Sequence, residues 1–125
     1  MLKRLLYDIQ ESPAHPDLSV LSTALGFERL VFNTQRKAMS SLKRLPPDVV
    51  VADFFYGYGN NYAGANVSNL DVLMRSLQRF APSARVVVLA DRHEIEHVPK
   101  LSALFQLHAV VALPATPAQL QAALA

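Results

Sequence analysis

Apolar residues along this chain fall into short unbroken runs, separated by stretches in which leucine and alanine recur every three or four positions. The densest run is PDVVVAD, residues 47–53, in which three valines and an alanine are opened by Pro-Asp and closed by a carboxylate. A run that is apolar at every position suits a strand buried on both faces, as in a parallel sheet between two layers of helices. Residues 3–7, 29–32, 85–89 and 109–113 are predicted as four further strands.

Helices fill the intervals. Asp17 caps a first helix with the stripe Leu18, Leu21 and Leu25, and Gly26 stops it. Thr34 opens a second carrying Ala38, Leu42 and Leu45, which Pro46 and Pro47 end. Leu70, Leu73, Leu77 and Phe80 mark a third within residues 67–80. Residues 91–107 hold a polar turn and a helix with Pro99 near its start, and Thr116 and Pro117 cap and start a last one. Five alternations of strand and helix imply one parallel sheet with helices on both faces, a flavodoxin-like (βα)5 fold of strand order 2-1-3-4-5. That order sets the ends of strands one and three side by side, so Asp8 and Asp53 should face one crevice at the carboxyl edge. The plainer alternative is that Asp53 only ends its strand and caps a turn.

Residues 54–66, FFYGYGNNYAGAN, interrupt the alternation with five aromatics in a Gly and Asn background. A loop of this length leaving directly from Asp53 is a candidate recognition element, with Phe55, Tyr56, Tyr58 and Tyr62 as its contact residues. The alternative is that these aromatics only cover the core beneath them.

Composition narrows the class. A chain of 125 residues, 51% apolar, is expected to form a single globular domain. Twelve Lys and Arg against ten Asp and Glu give a charge of +2, too small a surplus to imply nucleic acid. The absence of cysteine excludes disulfides, thiol catalysis and thiolate metal sites. No apolar run approaches the roughly 20 residues of a membrane span, and Asp8 interrupts the start too early for a signal peptide. The expectation is a cytoplasmic protein with no membrane association. The abrupt last helix suits one module of a longer chain.

At this point a family resemblance enters. PDVVVAD resembles the strand that ends in the phosphoacceptor aspartate of receiver domains from bacterial two-component response regulators, the CheY-like domains. LKRLLYDI resembles their first strand with its acidic end, while RVVVLAD and VVALPATPAQLQAAL resemble the fourth and fifth strands with the last helix. The resemblance implies that Asp53 accepts a phosphoryl group, that acids on strand one hold Mg²⁺, and that a hydroxyl after strand four and a lysine after strand five grip the phosphoryl oxygens. It also implies a cis Leu113–Pro114 bond.

Only part of that set is kept. Asp8 is flanked by Tyr7 and Ile9, so the adjacent acidic pair is missing, with Glu11 as a displaced third candidate beside Asp8 and Asp53 for a weak Mg²⁺ site. Ala90 stands where the hydroxyl is expected and Leu113 where the lysine is expected. Charge-assisted bonds of the kind these two would have made contribute roughly 1.5–3 kcal/mol each. The expectation is a degenerate pseudo-receiver with no cofactor or only weak Mg²⁺, acting by protein contact rather than as an enzyme. Its partners would be a histidine kinase, a phosphotransfer protein or an output domain. The alternative is a working response regulator phosphorylated at Asp53.

Two further features bear on function. After Glu96 there is no acidic residue, and the last helix, AQLQAALA, has little polar surface. Leu101, Leu104, Phe105, Leu120 and Leu124 are therefore candidates for a homodimer contact through the fourth helix, fifth strand and fifth helix, although two or three of them must face the core. Separately, His93, Glu94 and His97 fit the H-E-x-x-H pattern of zinc hydrolases. Pro99 follows too closely for a long helix, and His108 is the one ligand left downstream, so this reading stands last.

Overall fold

The structure, a computed structural model of the chain, describes residues 3–57 and 67–125. Five strands, β1 (Arg4–Ile9), β2 (Phe27–Phe32), β3 (Val49–Asp53), β4 (Arg85–Asp91) and β5 (Ala109–Leu113), form one parallel sheet in the order β2-β1-β3-β4-β5. The helices between them are α1 (Ser19–Ala24), α2 (Gln35–Ser41), α3 (Asp71–Phe80), α4 (Val98–Ser102) and α5 (Pro117–Leu124). The expected fold and strand order are both present.

Each face of the sheet has its own core. Tyr7, Ile9, Val50, Ala52, Val86 and Val88 pack under α2, α3 and α4 with Leu42, Leu73, Leu77 and Leu101. Leu6, Val49, Val51, Val87, Leu89 and Val111 pack under α1 and α5 with Leu18, Leu120 and Leu124. β3 lies between the two and is buried at all five positions, which is why its sequence is a run rather than an alternation. Thr34 and Thr116 cap as their positions suggest, accepting from the amides of Lys37 and Gln119. Gly26 takes the left-handed conformation, φ 80°, that ends α1. The Leu113–Pro114 bond is cis.

Boundaries shift where pairing or capping outweighs local pattern. β1 continues to Ile9 because β2 and β3 both bond to it, so Asp8 lies within the strand. β4 continues to Asp91 because Ala90 and Asp91 pair with Ala112 and Leu113. α3 starts at Asp71 rather than near residue 67, since the Asp71 carboxylate accepts the amides of Val67 and Ser68 and holds them in a turn.

The proposed dimer contact needs correction. Leu101 and Phe105 belong to one core, and Leu120 and Leu124 to the core on the opposite side of the sheet. All four are buried, and Leu104 alone is exposed, at 55%. The leucines of α5 point inward at i and i+4, and its solvent face is made of alanine and glutamine. An apolar composition thus coexists with an ordinary buried stripe. In urea denaturation, Leu101→Ala is expected to lose about 2–5 kcal/mol of stability. Leu104→Ala is expected to change it by no more than about 0.5 kcal/mol, and an equal cost for both would contradict this packing.

Candidate functional site

Parallel register determines which side chains meet. Asp8 pairs with Val51 on β3, and paired residues of a parallel sheet point to the same face. Asp53 lies two residues beyond Val51, so it shares that face and stands one step nearer the carboxyl edge. On the other side, Leu6 pairs with Arg29 of β2, which puts Arg29 on the same face below Asp8. Both aspartates are buried.

The side chain that joins them comes from the β1–α1 loop. In Ser12-Pro13-Ala14-His15 the His15 amide donates to the Ser12 carbonyl at 3.1 Å, closing a β-turn with proline at its second position. This turn lowers His15 between the two acids. Its Nδ1 lies 2.9 Å from both Asp53 oxygens and its Nε2 lies 2.5 Å from Asp8 Oδ1. Arg29 Nε and Gln10 Nε2 donate to Asp8 Oδ2 at 2.9 and 3.0 Å, and the amides of Glu11 and Ser12 donate to Asp53 Oδ2 at 2.9 and 3.0 Å. Every oxygen of the two carboxylates therefore accepts at least one N–H.

Electrostatics follow from this enclosure. Burial alone would push the imidazole toward its neutral form. Hydrogen bonds to Asp53 and then Asp8, together with both negative charges, outweigh it and raise the His15 pKa from 6.5 to about 9. Near neutral pH the ring is an imidazolium that donates from both nitrogens. Burial likewise works against ionised Asp8, but the bonds from His15 and Arg29 prevail and hold its pKa below the ordinary 3.8. Two negative and two positive groups thus balance in a water-poor site.

Other expected residues fall as follows. Glu11 contributes its amide, while its carboxylate turns away to accept from Gln35 Nε2 at 3.0 Å, so it is not a third acid beside Asp8 and Asp53. Ala90 and Leu113 are buried and offer no polar group at the two gripping positions. Phe55 donates its amide to Asn69 Oδ1, and Asn69 Nδ2 donates to the Asp53 carbonyl, so Asn69 ties the loop base to the end of β3. Tyr56 is exposed, stacked on His97 at 4.0 Å and covered by the Lys100 ammonium at 4.4 Å. Tyr58 and Tyr62 lie outside the described residues. A cavity lined by Gln10, Glu11, Asn33, Phe55 and Asn69 opens beside the site.

The zinc reading fails on geometry. Residues 92–94 form a turn in which Asp91 accepts the amides of His93 and Glu94, and 95–97 form a single 3-10 turn. His93 and His97 therefore do not share an α-helical face, and the Glu94 carboxylate accepts the Tyr56 amide at 2.7 Å. Among the described residues no three His, Asp or Glu side chains converge as metal ligands.

Mg²⁺, implied by the resemblance, does not fit the donor set either. Mg²⁺ binds oxygens at about 2.1 Å, so two carboxylate oxygens on one ion lie within about 4 Å of each other. Here an imidazole ring with a hydrogen bond at each end separates them. The cation beside Asp53 is instead His15, which the sequence reading did not anticipate and which bonds both acids.

Sequence reading missed His15, Arg29 and Asn69. His15 lies in SPAHP, which reads as turn chemistry, and Arg29 as an ordinary strand residue. The one available signal was topological, since the loop after strand one must pass over the edge where the two acids meet.

The fold is that of CheY-like receiver domains. The chain is similar to the signal receiver domain of a LuxO repressor protein from Vibrio parahaemolyticus, at 13% identity and TM-score 0.71, over 98% of this chain and 88% of that one. It is similar to a response regulator from Thermotoga maritima at 19% identity and TM-score 0.65, over 98% and 95%. A third similar structure, at 13% identity and TM-score 0.73 over 97% of this chain and 49% of that one, is described as a streptococcal redox sensor that evolved from two-component response regulators. No protein-family model matches the sequence, and no curated protein matches it. Among the described residues no helix is long and apolar enough to cross a membrane.

The charge cluster has a definite pH signature. Because the folded pKa of His15 lies above its ordinary value, its stabilisation is complete below about pH 6.5 and is lost as pH rises through about 9. That loss should be on the order of 3 kcal/mol. Asp8 acts in the opposite sense, its contribution present above 3.8 and lost as acid protonates it. Denaturation curves at pH 6, 7.5 and 9.5 should show the alkaline fall, and NMR should show the His15 ring titrating near pH 9. Equal stability across that window would refute a charged His15 between the two acids.

Proposed function

We propose that the chain is a receiver-like signalling module that has given up phosphoryl switching and acts by docking to a protein, without catalysis of its own. The observation that carries this reading is the state of Asp53. Both its oxygens are engaged by His15, and one also accepts the amides of Glu11 and Ser12. An aspartate attacks phosphorus with a free lone pair and needs cations on the arriving oxygens. Here both oxygens are already hydrogen-bonded, and Ala90 and Leu113 supply neither hydroxyl nor ammonium. The Lys100 ammonium donates to the Tyr56 hydroxyl at 3.0 Å instead.

Partners of the expected kind are a histidine kinase, a phosphotransfer protein or an output domain. The exposed apolar residues left for docking on the α4–β5 side are Leu104 and Val110, and Tyr56 with Lys100 over its ring forms a second candidate contact where the aromatic loop begins. The likeness to a sensor described as derived from response regulators supports use of this fold for tasks other than phosphoryl transfer.

The competing reading is an active phosphoacceptor, which would require His15 to withdraw. Incubation with acetyl phosphate and excess Mg²⁺, followed by intact mass measurement, separates the two. The unmodified mass is expected, whereas a stoichiometric acid-labile adduct mapped to Asp53 would establish the active form.

A further inference from the structure

We infer that His15 is a resident, tethered counter-cation that occupies the place of a divalent ion between Asp8 and Asp53 and keeps such ions out. This rests on the reading of the site as one that no longer transfers phosphoryl groups, and deepens it by naming what took over the metal's electrostatic task. A cation bound between two buried carboxylates must satisfy their charge and their lone pairs together. His15 does both, bonding one oxygen of Asp8 and both of Asp53, while Arg29 completes the charge balance from below.

The loop is built to hold it there. Pro13 and Pro16 bracket the residue, which restricts the unfolded loop and lowers the entropy lost when the ring is fixed. The Ser12 hydroxyl accepts the Ala14 amide at 3.1 Å, and Asp17 accepts the Ser19 amide at 2.9 Å, anchoring the turn at both ends. The ring itself is 3% exposed. An ion arriving from solvent would have to expel this side chain, or add two positive charges to a site that is already balanced. Either is unfavourable in a low-dielectric enclosure.

Removing the ring reverses the balance. His15→Ala leaves two carboxylates facing a ring-sized gap with Arg29 as the remaining cation, and a Mg²⁺ or Mn²⁺ ion that keeps some of its waters suits such a gap. Loss of one compensating charge should strengthen divalent binding roughly tenfold or more.

The test is metal titration without any phosphodonor. Mn²⁺ is added to wild-type protein and to His15→Ala and His15→Gln, with paramagnetic broadening of amides near Asp8 and Asp53 as readout, and melting is repeated in MgCl₂ and in EDTA. Wild type is expected to show no site-specific broadening at millimolar Mn²⁺ and no Mg²⁺-dependent shift, while both variants show each. A variant too unstable to fold in EDTA is expected to fold when Mg²⁺ is added. Site-specific binding to wild type overturns the inference, and so do variants that ignore the metal, whether folded or not. Binding to wild type would leave the phosphorylation result standing, so the two conclusions fail separately.

Discussion

A buried imidazolium shared by two aspartates is the constraint on which the functional half of this molecule depends. Each of these charges is costly to take out of water, by several kilocalories per mole for an isolated ion. The cluster survives because every charge in it has an opposite charge beside it and every carboxylate oxygen accepts a hydrogen bond. His15 bonds both acids, Arg29 bonds one, and backbone amides bond the other. Such an arrangement adds little net stability relative to a well-packed apolar site, yet losing one member costs about 3–5 kcal/mol. Its effect is therefore to fix one geometry at the sheet edge.

That geometry is set by the sheet before any side chain is considered. β1 and β3 are neighbours because the order is 2-1-3-4-5, and the register places Asp8 and Asp53 on one face two residues apart. Two separate cores clamp the sheet from either side, so the edge cannot shift without disturbing both. The loop that delivers His15 is proline-bracketed and tied to the start of α1 by Asp17, which accepts the Ser19 amide, although the helix's N-cap is Leu18 and not the expected Asp17. Rigid strands carry the acids, and a stiff turn brings the base.

How much of this could be read from sequence differs sharply between scaffold and site. Triple-valine runs, threonine caps and the spacing of leucines each report a local rule, and for that reason the fold, its order and the meeting of Asp8 with Asp53 were legible. His15 was not, because its meaning depends on two residues 7 and 38 positions away and on no periodicity. Arg29 looks like any strand residue until register places it across from Leu6. Composition misled at the C-terminus, where a helix poor in polar residues suggested a sticky face. Its leucines face inward, and its outer face is alanine and glutamine.

The choice of side chain between the two acids also has a physical reason. Two buried carboxylates that face one space repel each other unless a cation lies between them. A nearby base relieves that repulsion most economically if it can touch both, and an imidazolium is the side chain with two donors on opposite sides of a rigid ring. Lysine offers a point charge and arginine a one-sided fork, so neither spans two separated acids as compactly. With the ring in place, oxygens of both acids already accept its N–H groups. Leu113 and Ala90 are buried there and contribute packing without a polar group. The ring between Asp8 and Asp53 and the apolar side chains at 90 and 113 thus fit together, since a carboxylate pair neutralised from within needs no further polar group at this edge.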